Sequence, residues 1–226
     1  MTFPTGLFPR DREKVLSSFD ALDIASGRAV QDFFGGLTVS GATILPALSN
    51  VAWNSHNVST GATANGTTPV VRIDEDFDVL LNKSIKIEGD VILTIPHAMQ
   101  NATTGTHSMF AQTKIEKVSE GNVEQLGLEI SGAVLSSNTS AEFERKNTAL
   151  KIEVPRTSFK KGDKLRLNIQ VWGWRASGDL VVFLGHDPNG RTIGDFEVFP
   201  SPPITPSWDA ASPSVLKAQV PIVIDI

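Results

Sequence analysis

The sequence predicts an all-β fold: an antiparallel β-sandwich, with a jelly roll as the arrangement that the pattern favours. Hydrophobic and polar side chains alternate at a period of two in several separate runs. Clusters of turn-forming residues separate these runs, and helix-forming stretches are missing between them. Strands at this spacing, without helices between them, indicate an antiparallel sandwich or barrel and argue against a βαβ fold.

Four segments carry the alternation most clearly: residues 85–95, 150–154, 164–171 and 220–226. Successive side chains of a strand point to opposite faces, so each run predicts one buried face and one wet face. An amphipathic helix repeats every 3.6 residues and would not give this pattern. These runs therefore predict the sheets that enclose the core.

Short clusters rich in Gly, Asn, Asp and Ser stand between the strands and predict turns. They fall at residues 119–122, 136–140, 160–163, 176–179 and 187–190. A further turn is predicted at Gly35–Gly36, between strands over 29–34 and 37–45. Residues 50–69 read as a long polar loop, because Ser, Thr, Asn and Gly dominate them.

Residues 1–28 differ from the rest and predict an N-terminal lead. Val15, Phe19 and Leu22 have the spacing of one helical face, and Asp11 is placed to cap a short helix. Residues 29–226 are predicted to form a single sandwich domain. Within it, the five prolines of residues 199–213 predict an extended connector or arm, since Pro cannot donate to a β-ladder.

Composition narrows the classes of function. The chain has 226 residues, a formal net charge of −5 and no Cys. Nucleic acid is not expected as a partner, because phosphate binding needs a clustered basic surface. The missing Cys excludes disulfides and thiolate chemistry. No apolar stretch approaches the roughly 18 residues of a membrane span, so no membrane partner is expected.

Candidate catalytic and metal-ligating groups are few. His97 and His107 could meet across a hairpin, but two polar loop histidines are the favoured interpretation, because metal sites need several converging ligands. The acidic residues of 74–78 admit a calcium loop, although a solvated acidic edge fits better, since Phe77 and Val79 interrupt the ligand spacing. Nucleophile-elbow and phosphate-loop motifs are missing. We therefore expect no enzymatic activity, no metal and no cofactor.

Trp172 and Trp174 are the strongest candidates for a binding surface. They share one strand parity, opposite to that of Leu165 and Val171, so they face away from the core unless a bulge shifts the register. Exposed indoles suit a subunit interface, where Trp is enriched, and they also suit stacking against a sugar. Burial in the core after a bulge is the remaining alternative.

Three segments resemble virion structural proteins of tailed bacterial viruses. The first is Asp23–Gly27, followed by a strand that ends in Phe33 and Phe34. The second runs from Gly162 through Trp172 to Arg191, and the third is Val220–Ile226. The Trp-Gly-Trp-Arg end of the second segment departs from the pattern of that group, which leaves the orientation of its strand open.

The resemblance implies a decoration or cement protein with a jelly-roll core on the capsid surface, assembled in the host cytoplasm. It further implies a homotrimer that binds the major capsid protein, with Phe33, Phe34, Trp172 and Trp174 as interface candidates. A carbohydrate-binding or host-adsorption module of a virion is the alternative function, using the Trp side chains as platforms. A third class is an enzyme on a jelly-roll scaffold, which would need a His/Glu metal cluster.

Deleting residues 1–20 is expected to weaken trimer or capsid contacts and to leave the sandwich folded, because this stretch lacks the two-residue period of the core. Light scattering reports the oligomer and circular dichroism reports the fold. A truncated chain that does not fold would contradict the prediction.

Overall fold

The computed structural model describes residues 27–40, 43–50, 58–60, 66–101, 105–138, 143–176, 180–185 and 216–223. Twelve β-strands account for the regular structure of these ranges, and the all-β prediction is confirmed. In chain order they are β1 (Arg28–Ser40), β2 (Thr43–Ser49), β3 (Val58–Thr60), β4 (Gly66–Leu80), β5 (Ile85–Asn101), β6 (His107–Ser119), β7 (Asn122–Ser131), β8 (Leu135–Ser137), β9 (Phe143–Phe159), β10 (Lys164–Arg175), β11 (Leu180–Gly185) and β12 (Lys217–Val223).

The strands form a single twelve-stranded, mostly antiparallel sheet, and we call two parts of it the first layer and the second layer. The first layer has the order β1-β12-β5-β9, and the second has the order β4-β10-β6-β7. Four pairs are nested in the chain: β1 with β12, β4 with β10, β5 with β9 and β6 with β7. Nested pairing of this kind supports the jelly-roll arrangement, which stays a prediction.

Strand β1 connects the two layers into one folded-over sheet. Its residues 28–34 pair with β12, whereas residues 34–40 pair with β2. Strand β2 then meets β4 in parallel through the single pair Ala47↔Asp78. Strands β11 and β3 extend the first layer beside the end of β5, and β8 pairs with the start of β6.

The core lies between the layers and contains the side chains that the alternation predicts. A small apolar cavity, about 10 Å³, marks their interface. Side chains from β2, β5, β6, β10 and β12 line it together, including Leu48, Val91, Ile115, Leu167 and Val220. Each fully buried side chain of this size stabilises the fold by about 1.5–3 kcal/mol.

The turn predicted at 119–122 is confirmed as a two-residue hairpin between β6 and β7. Glu120 and Gly121 have φ values of 50° and 85°, as the tight hairpin turn with two left-handed residues requires. The turn at 160–163 is also confirmed, with the Asp163 carboxylate accepting the amide of Lys160 at 2.8 Å. The other oxygen of Asp163 accepts the hydroxyl of Ser119 at 2.6 Å, which ties the two turns together.

The turn predicted at Gly35–Gly36 is wrong, because β1 runs straight through both residues. Gly35 is needed for close packing instead. A Cβ at this position would lie 2.7 Å from Cγ of Leu216 and 3.2 Å from its Cβ. The Gly35 amide also donates to the Leu216 carbonyl at 2.9 Å. The glycine therefore lets β1 pass close to Leu216 at the point where the pairing partner of β1 changes from β12 to β2.

Other boundaries differ from the sequence prediction. The 50–69 stretch is not one loop, since β3 lies within it and β4 begins at Gly66. Residues 136–140, predicted as a turn, begin inside β8. The predicted helix of residues 11–25, the Pro-rich arm of 199–213 and the turn of 187–190 lie outside the described residues. In the part of the chain that is described, no helix is long and apolar enough to cross a bilayer.

Replacing Gly35 by Ala is expected to lower the free energy of unfolding by about 1–3 kcal/mol, because the new methyl group overpacks against Leu216. Leu216→Ala alone should cost about 2–5 kcal/mol through the cavity it leaves. In the double variant the two costs should not add, since the truncated leucine makes room for the new methyl group. Urea denaturation measures all three, and additive costs would refute the packing argument.

Candidate functional site

The outer face of the second layer is built by the even-numbered residues of β10. Odd-numbered residues from Leu165 to Arg175 point into the core and are buried. The pairing of β10 with β6 is unbroken from Lys164↔Val118 to Arg175↔His107. The pairing of β10 with β4 is irregular at two places, beside Trp172, where Arg72 is the extra residue, and between Gly173 and Arg175. In both, the extra residues lie in β4. The alternation of β10 therefore persists, and Trp172 and Trp174 lie on the outer face.

Three aromatic side chains meet on this face, and we call them the aromatic cluster: Phe110, Trp172 and Trp174. Phe110 stacks on Trp172 with ring centroids 5.7 Å apart and planes 8° apart. Trp174 meets Phe110 edge-on at 6.0 Å. All three are half-buried. Aromatic pairs of this geometry contribute about 0.5–1.5 kcal/mol beyond area burial, so the rings fix one another's positions.

A row of polar side chains continues along the same face, and we call it the polar ladder: Asp74, Asp76 and Asp78 of β4 with Arg166, Asn168 and Gln170 of β10. At its far end, Arg166 binds Asp78 through two hydrogen bonds, Nε to Oδ1 at 2.7 Å and Nη2 to Oδ2 at 3.1 Å. The remaining guanidinium nitrogen, Nη1, lies 2.7 Å from Oδ2 of Asp76. Lys164 also reaches Asp78, at 3.1 Å. Two acidic and two basic side chains balance their charges there.

The ladder reaches the aromatic cluster through amides. Nδ2 of Asn168 donates to Oδ1 of Asp74 at 2.7 Å and to Oδ1 of Asp76 at 2.8 Å. Nε2 of Gln170 donates to Oδ2 of Asp74 at 3.3 Å. The Oε1 atom of Gln170 in turn accepts the indole Nε1–H of Trp172 at 3.1 Å. A continuous chain of hydrogen bonds therefore holds the Trp172 ring.

This arrangement revises the interpretation of residues 74–78. Of the three aspartates, only Asp74 fits the expectation of a solvated acidic edge, because it is exposed. Asp76 and Asp78 are half-buried and paired with β10, which a local sequence pattern does not reveal. In the described ranges, no group of three or more His, Asp or Glu side chains is arranged to hold a metal ion, so the calcium alternative gains no support.

Charge pairing sets the protonation of Asp78. Burial alone would raise the pKa of this carboxyl group. The hydrogen bonds and charges of Arg166 and Lys164 outweigh that effect and hold the pKa below its usual value of 3.8. The hydrogen bond to Asp78 likewise keeps the pKa of the Arg166 guanidinium above its usual value. Both groups are therefore charged at neutral pH.

The two candidate histidines are strand residues, and the prediction that they lie in loops is wrong. His97 belongs to β5 and His107 to β6, and both are buried. His97 continues the inward parity of Leu93 and Ile95, which explains its burial. Removal from water lowers the pKa of His97 to about 4, with a further contribution from the charge of Lys146, although a hydrogen bond with the Ile95 carbonyl opposes it. His97 is therefore neutral at pH 7.

The four interface candidates do not form one site. Phe33 is only 1% exposed and packs in the core, so its side chain does not reach the surface. We therefore drop Phe33 from the candidate surface. Phe34 is half-buried in the first layer, with the Lys217 ammonium 5.8 Å from its ring centroid. Only Trp172 and Trp174 lie together, and Phe110, which joins them, was not predicted.

The comparisons with known proteins name no family for this chain. No family model and no curated protein matches it. Among solved structures it is similar to a CocE/NonD family hydrolase from Staphylococcus aureus, with a TM-score of 0.47 and 12% identity over 87% of this chain and 37% of the hydrolase. An aminopeptidase from a Thaumarchaeota archaeon gives a TM-score of 0.46 and 8% identity, covering 88% of this chain and 37% of that protein.

A third similarity is to the structure of infectious bursal disease virus, Gx strain, with a TM-score of 0.30 and 8% identity over 83% of this chain and 41% of the viral chain. This chain thus spans about two fifths or less of each of these proteins. Likenesses this weak establish neither activity nor partner. The expectation that the chain is not an enzyme stays a prediction.

Replacing Asp78 by Asn is expected to cost about 1 kcal/mol of unfolding free energy at pH 7, because Arg166 loses a two-point partner. The pKa of Asp78 is lowered in the folded chain, so its contribution is present above about pH 4 and lost as the pH falls through the folded pKa. The difference in unfolding free energy between Asp78→Asn and the unmodified chain should therefore become smaller as the pH falls. Urea denaturation from pH 7 to pH 3 measures it.

Asp90→Asn is the control, because Asp90 pairs with Lys151 at 2.9 Å on an exposed part of the first layer. That variant should leave the free energy of unfolding unchanged within the error of the measurement, because solvent screens this exposed pair. His97 titrates in the unmodified chain and in both variants, so its contribution cancels when their unfolding free energies are subtracted. An Asp78→Asn cost that stayed constant down to pH 3 would contradict the assignment.

Proposed function

We propose that this chain is a virion structural protein of the decoration or cement type, which binds the shell formed by a major capsid protein and reinforces it. The observation that carries the proposal is the aromatic cluster. Three half-buried rings lie on the outer face of a rigid sheet, and Trp172 is held by a hydrogen bond from its indole nitrogen. Rigid aromatic anchors of this kind dominate binding energy at protein interfaces.

The charge distribution of the same face favours a specific contact over general adhesion. The polar ladder beside the cluster is hydrogen-bonded and charged, so the apolar part of the face stays small. A small apolar centre with a satisfied polar surround is the usual anatomy of a protein interface. We include in the proposal that the role is non-catalytic, that the chain acts on the capsid surface and that it forms a homotrimer.

A carbohydrate-binding or host-adsorption role is the second candidate. The observation that favours it is the placement of the Gln170 amide directly beside the Trp172 indole, at 3.1 Å. Sugars bind proteins through stacking on aromatic rings combined with hydrogen bonds to such polar groups. Glycan-array binding that Trp172→Ala abolishes would favour this role over capsid binding.

Trp172→Ala is expected to weaken binding to purified, undecorated particles of the virus that encodes the chain by about tenfold or more, because it removes one of the two indoles and the stacking partner of Phe110. Co-sedimentation measures the affinity, and mass spectrometry of native particles shows whether the chain is a component. Ile92→Ala is the matched control: Ile92 is 44% exposed, on the outer face of the first layer.

The control variant should bind as the unmodified chain does. Equal loss in both variants would contradict a role for the aromatic cluster, and absence of the chain from native particles would remove the capsid proposal itself. Light scattering of the purified chain tests the trimer. Ester or peptide hydrolysis that survives repurification would overturn the non-catalytic role.

A further inference from the structure

One carboxylate beside the aromatic cluster is not neutralised by a cation. Among the described residues, Asp74 has amide partners only: Asn168 binds its Oδ1 atom and Gln170 binds its Oδ2 atom. The other charges of the polar ladder balance, since Asp76 and Asp78 face Arg166 and Lys164. The ladder therefore ends, at the side of the aromatic cluster, in one exposed negative charge.

The amide partners of Asp74 orient its carboxylate without using up its capacity. Each oxygen of a carboxylate has two lone pairs, and each Asp74 oxygen accepts a single hydrogen bond from the ladder. Both oxygens can still accept from a ligand. The carboxylate also has a fixed distance from the indole, because Gln170 bonds to Asp74 and to Trp172 at once.

An apolar side chain borders the same place on β4. Val71 lies opposite Trp172, so both side chains project from the outer face, and Val71 is half-buried. It offers aliphatic surface on which the methylene stem of a long side chain can pack. Aromatic faces, a fixed carboxylate and an apolar border thus occur together on one outer face.

We propose that the aromatic cluster and Asp74 form a binding site for an arginine side chain of a partner protein. A guanidinium group is planar and cationic, so it stacks on an indole face and donates two parallel hydrogen bonds to a carboxylate. Charge complementarity selects this ligand over a neutral one, because the site holds one negative charge that the ladder leaves uncompensated. The identity of the partner as a capsid subunit rests on the proposed function.

The test uses the purified full chain and two synthetic peptides of equal length. Both have a Gly-Ser background, and one carries three arginines where the other carries three citrullines. Citrulline keeps the shape of arginine but is neutral. The indole N–H resonance of Trp172, assigned by its loss in Trp172→Phe, reports binding at the site. We expect the arginine peptide to bind about fivefold or more tightly than the citrulline peptide.

Two charge variants locate the effect. Asp74→Asn should remove most of the preference for arginine. Glu153→Gln removes the same charge from an exposed position on β9, in the other layer, and should preserve the preference. Circular dichroism confirms that both variants are folded. Raising the salt concentration should weaken arginine binding in the unmodified chain more than in Asp74→Asn.

Several outcomes would overturn the inference. Equal affinity for the two peptides would show that charge is not recognised. Equal losses in Asp74→Asn and Glu153→Gln would show diffuse attraction to a chain of net charge −5. Cellohexaose that shifts the Trp172 resonance where the arginine peptide does not would assign the site to a glycan. Because these measurements use the chain alone, they remain decisive if the chain proves absent from native particles.

Discussion

The unbroken register between β10 and β6 is the constraint on which both the core and the candidate surface depend. It sends Leu165, Leu167, Ile169 and Val171 into the space between the layers. The same alternation places the charged, amide and indole side chains on the outer face. A shift of the register by one residue would turn the charged side chains of β10 into the core and its apolar side chains out to solvent. The register is therefore strongly specified. The bulge at Arg72 leaves it intact because the extra residue lies in the neighbouring strand.

The features that the sequence predicts well are those encoded within one strand. Alternation over residues 85–95 and 164–171 predicts the strands, their buried faces and the outward direction of Trp172. Features that depend on contact with a strand far away in the sequence were not predicted. Gly35 reads as a turn residue locally, and only the approach of Leu216 reveals its packing role. His97 reads as a polar loop residue, although extending the parity of β5 by one step would have placed it in the core.

The candidate surface shows the same division. The outward parity of Trp172 and Trp174 follows from one strand, whereas Phe110 joins them through a cross-strand pair far along the chain. The acidic residues of 74–78 alternate in sequence as a strand face would, which is the one local signal of their shared orientation. Their pairing with Arg166 and Asn168 requires the order β4-β10, and nothing in a single sequence supplies that order. Most paired strands of this sheet are distant in sequence, so a site on its face is poorly predicted from local patterns.

The hydrogen-bond chain gives the surface its rigidity, and rigidity decides how much of a contact appears as affinity. A free indole would lose rotamer freedom on binding, which costs about 0.5–1.5 kcal/mol for a mobile side chain. Trp172 has lost that freedom already, because Gln170 and Phe110 hold it in the free protein. The Asp74 carboxylate is likewise oriented before binding, because two amides donate hydrogen bonds to it.

A ligand that contacts both Trp172 and Asp74 gains affinity from the preorganisation of each group. A guanidinium group can contact both, because its flat face stacks on the indole and its N–H edge donates to the carboxylate. A neutral sugar would stack on the same rings but would gain less from the fixed negative charge. The uncompensated carboxylate, more than the indoles, therefore determines which class of ligand the surface favours.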